Sequence, residues 1–153
     1  MKINELLNEL RTRDSYKEYI EQNPSSFFCA GFFILGEDQD KIQLDYYSPS
    51  SKRITSFEYP FVSYQTYEEE ILKINQINEE DFIPDLNELK KFIKEKINKS
   101  FTRLIAILKD GYWNITLLNG LSMSRIKIDY KMGEIIEDKN ENLSDFIKFD
   151  KKN

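Results

Sequence analysis

Phe27-Phe28-Cys29-Ala30-Gly31-Phe32-Phe33-Ile34-Leu35 is the stretch on which the fold turns. It is short, uncharged and dominated by aromatic and branched side chains. That pattern reads as a central strand covered on both faces. On its upstream side, Ile3, Leu6, Leu7 and Leu10 recur at helical spacing, and Tyr16, Tyr19 and Ile20 extend the apolar surface. A helix is predicted over about residues 3–22, stopped at Asn23-Pro24 because proline disfavours the α region for the residue before it. On its downstream side, Gly36-Glu37-Asp38-Gln39-Asp40 reads as a turn. Ile42, Leu44 and Tyr46 then alternate with polar residues as a half-buried strand. Ser48-Pro49-Ser50-Ser51 turns the chain into a third strand at about 52–59, ended by Pro60.

The same order follows in the second half. Leu86, Leu89, Ile93 and Ile97 give a helix over about 84–99, with Pro84 in its first turn. Phe101 to Leu108 is a second apolar strand. Lys109-Asp110-Gly111 and Asn119-Gly120 punctuate two alternating strands, Trp113 to Leu117 and Ile126 to Tyr130. Met132-Gly133 precedes a short strand at 134–137, and Leu143, Phe146 and Ile147 suggest a last helical turn. Ile42-Gln43-Leu44-Asp45-Tyr46 is echoed by Ile126-Lys127-Ile128-Asp129-Tyr130. The predicted class is therefore α+β: two tandem helix-plus-antiparallel-meander (αβββ) units. They lie side by side or as one continuous sheet, with the helices on one face. The first unit covers residues 1–59, a connector 60–82, and the second unit 83–153, its extra length being the arm Tyr112 to Leu118. Together they form one compact domain.

Length and composition agree with a folded body. The chain has 153 residues, of which 40% are hydrophobic and 32% charged. A chain of this size buries roughly 70% of the surface its unfolded form exposes. The net charge is −5, which argues against a general polyanion binder and hence against nucleic acid as the partner. No apolar run reaches the length of a membrane span. Met1-Lys2-Ile3-Asn4-Glu5-Leu6 is polar where a secretory signal is apolar, so the expected location is the cytoplasm.

Trp113-Asn114-Ile115 followed by Ile126-Lys127-Ile128-Asp129-Tyr130-Lys131-Met132-Gly133-Glu134-Ile135-Ile136 resembles the PepSY domain, a small cystatin-like helix-plus-meander module, over about residues 84–140. In physical terms, Asp129 can hold the amides of the following turn and Gly133 can take positive φ. The first half keeps only Ile42-Gln43-Leu44-Asp45, and Ser48-Pro49-Ser50-Ser51 replaces the Gly-Glu turn. The resemblance implies a non-catalytic module that contacts proteins or peptides. PepSY modules usually lie outside the cytoplasm, and the polar N-terminus departs from that.

Catalytic chemistry has little to stand on. The chain contains no histidine and one cysteine. That removes His-based triads, the commonest transition-metal ligand and any structural zinc site. Cys29, between paired phenylalanines, reads as a buried small hydrophobe. No glycine pattern cradles phosphate. Glu37, Asp38 and Asp40 lack the calcium-loop spacing. Glu68-Glu69-Glu70 and Glu79-Glu80-Asp81 read as solvated acids. Lys90, Lys91, Lys94, Lys96, Lys99 and Arg103 read as the polar face of an amphipathic helix. No catalytic, metal or cofactor-binding residue is assigned, and no cofactor is expected.

The segment Phe57 to Tyr67 stands apart, because tyrosine joins apolar area to a hydroxyl and is favoured at interfaces. Tyr59, Phe61, Tyr64 and Tyr67 are the candidate interaction surface. The functional expectation is a non-enzymatic protein- or peptide-binding module. The alternatives are a homodimeric scaffold and a carboxylate- or metal-dependent enzyme.

Overall fold

A computed structural model describes residues 2–36, 40–68, 73–78, 86–97, 99–129 and 133–142. Readings that rest on Glu37 to Gln39, Glu69 to Leu72, Glu79 to Asp81, Pro84, Tyr130 to Met132, Leu143, Phe146 and Ile147 lie outside these residues.

Two short helices, α1 (Ile3–Thr12) and α2 (Asp14–Gln22), precede β1 (Phe27–Gly36), β2 (Lys41–Ser48), β3 (Arg53–Glu58) and β4 (Tyr64–Glu68). Then come α3 (Leu86–Phe92), which runs into a π-helical turn at Ile93–Ile97, and β5 (Arg103–Lys109), β6 (Tyr112–Asn119), β7 (Ser122–Asp129) and β8 (Ile135–Asn142). All eight strands join one sheet in the order β4-β3-β2-β1-β5-β6-β7-β8, and every neighbouring pair is antiparallel.

This overturns the expected two tandem αβββ units. β1 pairs directly with β5 through Gly31↔Leu108, Phe33↔Ala106 and Leu35↔Leu104, which makes one sheet. About half of the described residues are in strands, and the helices among them are short. β4 falls inside the stretch read as a connector, and β8 is twice the length expected from residues 134–137. The arm Tyr112 to Leu118 is an integral strand, β6, between β5 and β7. Of the echoed segments, Ile42 to Tyr46 lies on β2 and Ile126 to Asp129 ends β7, strands that flank β1 and β6 respectively.

The long first helix is also corrected. Arg13 is extended (φ −81°, ψ 145°) and divides it. Continuing the Ile3, Leu6, Leu7, Leu10 stripe would bring Asp14 and Lys17 inward. The break resets the phase, so that Ser15 and Tyr19 are the buried residues of α2. Ser15 is satisfied there: its Oγ donates to the Phe61 carbonyl at 2.7 Å.

The helices cover one face of the sheet. Leu6, Leu7, Leu10, Leu86, Leu89 and Ile93 join one core with Phe33, Leu44, Phe57, Leu104, Trp113 and Ile126, among others. Register puts those strand residues on a common face: Leu44 opposes Phe57 and Gly31, Phe33 opposes Ala106, and Trp113 opposes Leu108 and Ile128. The opposite face carries Phe32↔Ile107 and Ile34↔Ile105 at its centre, all half-buried, and outside them polar pairs such as Gln43↔Glu58 and Asn114↔Lys127 mixed with apolar ones such as Tyr47↔Ile54. A bulge between Phe28 and Ala30 accommodates buried Cys29, whose Sγ contacts the Asp45 carbonyl at 3.4 Å.

Gly31 sits where β1 crosses under the core. A Cβ there would lie 2.8 Å from Phe33 Cε2 and 3.0 Å from Cζ, on a ring with no solvent exposure. Gly31→Ala is expected to destabilise the protein by about 1–3 kcal/mol through overpacking. Paired urea melts of the two proteins test this. An unchanged midpoint would show that the ring has room to move.

Candidate functional site

The two rims of the sheet differ in kind. β8 has eight residues, carries Glu137, Asp138, Lys139 and Glu141, and pairs with β7 through an irregularity near Ile128. Charge and a kink are the usual guards against unwanted strand pairing. β4, Tyr64-Gln65-Thr66-Tyr67-Glu68, has one charged residue, Glu68, and an unbroken register with β3. Glu68 is joined to Arg53 at 3.3 Å, both side chains being mostly exposed.

Which way the β4 amides point follows from one bond. The Tyr59 amide donates to the Ile42 carbonyl at 2.9 Å, so Ile42 and Tyr59 exchange bonds between β2 and β3. Antiparallel alternation then turns the backbone groups of Ile54, Ser56 and Glu58 toward β4. Ile54 opposes Tyr67 and Ser56 opposes Gln65, so Gln65 and Tyr67 bond inward to β3. The N–H and C=O groups of Tyr64, Thr66 and Glu68 point away from the sheet.

The four aromatic residues singled out from the sequence do not form one surface. Tyr59 is 43% exposed and meets Phe61 edge to face, with centroids 5.5 Å apart. Phe61 is buried, takes positive φ (68°) and belongs to the core, so it offers no interaction surface. Tyr64 is half-buried on the helix-covered face, against Phe57 (5.6 Å) and Tyr19 (5.9 Å). Tyr67 is 41% exposed on the opposite face. Its hydroxyl donates to Asp45 Oδ2 at 3.2 Å and accepts from Ser56 Oγ at 3.3 Å. Tyr67 therefore clamps the outer strand over a buried carboxylate that Gln43 Nε2 also reaches at 3.0 Å. Alternation in β2 places Asp45 on the polar face. Its burial depends on β4, a strand the sequence marks only faintly.

On the helix side, β4 borders a polar cleft of about 300 Å³ lined by Tyr19, Gln22, Asn23, Arg53, Tyr64 and Thr66, with Ser51 and Thr55. Thr55 and Thr66 hydroxyls meet at 2.9 Å across the strand pair. Tyr19 Oη meets Ser26 Oγ at 2.8 Å. Burial, outweighing the hydrogen bonds from Ser26 and Thr55, raises the Tyr19 phenol above its usual 10.0. The unfolded chain therefore releases this proton at lower pH than the folded one. The stabilisation is complete below the unfolded value of about 10 and is lost as pH rises through the higher folded value. Urea melts between about pH 9 and 11 should show wild type losing stability with a steeper slope than Tyr19→Phe. Parallel slopes would mean that the phenol is not held neutral by the fold.

A second concavity, of about 490 Å³, lies between the third helix and the β1–β5 pair. It is lined by Leu35, Gly36, Lys90, Lys94, Lys99 and Phe101, with Ser100 and Thr102. Among the described residues, no three His, Cys, Asp or Glu side chains gather as a metal site would require. No described helix is long and apolar enough to cross a membrane.

An eight-stranded antiparallel sheet with short helices on one face is thus the architecture that positions both clefts and the β4 edge. No family model and no curated protein sequence matches the chain. Among solved structures, the fold is similar to that of a "putative lipoprotein" from Clostridium difficile 630. The TM-score is 0.59 at 10% identity, over 84% of this chain and 91% of that one. At that identity the likeness concerns the fold alone.

Proposed function

We propose that the protein is a non-enzymatic module that holds an extended segment of a partner protein along the outer edge of β4. The observation that supports this reading is the contrast between the rims. β8 carries charge and a kink, whereas β4 is nearly uncharged, regular and turns three sets of backbone groups outward. An added strand uses such groups for affinity and alternate side chains for specificity. A partner residue opposite Thr66 sets its side chain over the polar cleft. Arg53 and the surrounding hydroxyls favour a carboxylate or amide there. Neighbouring partner residues meet the exposed ring of Tyr67 on the other face.

Capture by the tagged chain from cells of its source, followed by mapping of the bound segment, tests the reading. A peptide copy of that segment should bind wild type and bind Thr66→Pro roughly a hundredfold more weakly. Equal binding by both proteins would reject the β4 edge. Self-association is the other reading of the same edge, since two β4 strands can pair antiparallel about a two-fold axis. A mass that rises with concentration and falls in Thr66→Pro would favour it.

A further inference from the structure

We propose that the lysine-lined cleft beside the third helix is a binding site for the phosphate group of a small phosphorylated molecule, independent of the β4 edge. Lys90 and Lys94 stand one turn apart and both line the cleft, and Lys99 enters from the segment before β5. Lys99 Nζ is held at 2.6 Å from both Asp138 Oδ1 and Asn140 Oδ1, which fixes its position. Lys90 and Lys94 make no ion pair with a described residue, whereas Lys91, on the same helix but outside the cleft, faces Glu95 at 4.0 Å. Among the described residues, Asp138 is engaged by Lys99, and Asp40 Oδ1 accepts weakly from the Gly36 amide at 3.4 Å. In a chain of net charge −5, this is a local concentration of positive charge inside a concavity.

The remaining lining suits a phosphate with an organic body. Ser100 Oγ accepts from Asn119 Nδ2 at 3.0 Å, which leaves the serine proton to donate to an anion. Leu35 and Phe101 supply apolar wall. The volume is within the range of small-ligand sites, about 300–1,000 Å³. Lysine acts on phosphate as a point charge with three donors. The helix that carries Lys90 and Lys94 ends in a π-helical turn, a rare conformation frequent at functional sites.

Isothermal titration of the full chain with phenyl phosphate, adenosine monophosphate and inorganic phosphate, against phenol and adenosine, tests the site. The phosphate monoesters should bind at millimolar concentration or below, and the neutral parents should not. The Lys90→Gln/Lys94→Gln double variant should lose about tenfold or more in affinity, as expected for removing two charge-assisted contacts. Amide NMR shifts on titration should centre on Gly36, Ser100 and Thr102. If the double variant does not give a folded spectrum, Lys94→Glu, at an exposed position, replaces it and should abolish binding. Failure of all three phosphates to bind, unchanged affinity in the folded variant, or shifts centred elsewhere would each overturn the proposal.

Discussion

Replacing Trp113 by alanine is expected to destabilise the protein by about 3–5 kcal/mol. That is a large share of the roughly 5–15 kcal/mol by which domains of this size are stable. Trp113 has no exposed surface and sits near the start of β6, between Leu108 on β5 and Ile128 on β7. Its ring packs against Phe33 of β1 at 5.7 Å, so it ties together the two central strands and those beyond them. Its indole N–H meets no acceptor, so the side chain contributes by volume and contact alone. Trp113→Phe should therefore stay folded and lose much less than the alanine variant, the difference being read in urea melts. If the two variants lost the same stability, the hydrogen-bonding nitrogen and not the ring volume would be the stabilising part.

Thr66→Pro is expected to weaken partner binding by roughly a hundredfold with little loss of fold. The reason is directional. The Thr66 amide points away from β3, so proline removes a donor that the native ladder does not use. An added strand would lose that bond and meet the pyrrolidine ring. Each main-chain bond is worth about 0.5–1.5 kcal/mol net, and an unmatched carbonyl on the partner costs about 1–3 kcal/mol more. Affinity should fall by roughly a hundredfold. The substitution also deletes the Thr55–Thr66 hydroxyl contact, so Thr66→Val is the control. It lacks that contact, keeps the amide and should bind as wild type does. Loss of binding in both variants would assign the effect to the hydroxyl and not to the strand edge.

The central strands were readable because their chemistry is local. Phe27–Leu35 and the alternating run from Trp113 to Leu117 specify strands without reference to anything distant. The joining of the halves was not readable. It depends on Gly31 letting β1 pass beneath Phe33 while β5 pairs on one side and β2 on the other. The break at Arg13 was hidden because both helices carry apolar stripes, and only their relative phase requires it. β4 was faint since none of its side chains is fully buried, which leaves little hydrophobic pattern to detect. Of the four aromatic residues marked as a surface, composition alone could not separate Phe61, which enters the core, from Tyr59 and Tyr67, which remain exposed. In the sequence alone, the lysines of the cleft look like the solvated face of an amphipathic helix. Lys90 and Lys94 become a pair in a concavity only when Gly36 and Phe101 close its other walls.

Amide hydrogen exchange, resolved residue by residue with and without the captured segment, tests the β4 edge most directly. The outward N–H groups of Tyr64, Thr66 and Glu68 should exchange freely in the isolated protein and slow together when the segment binds, while the amides of β8 keep their rates. Unchanged exchange at those three residues in the saturated complex would contradict strand addition at β4.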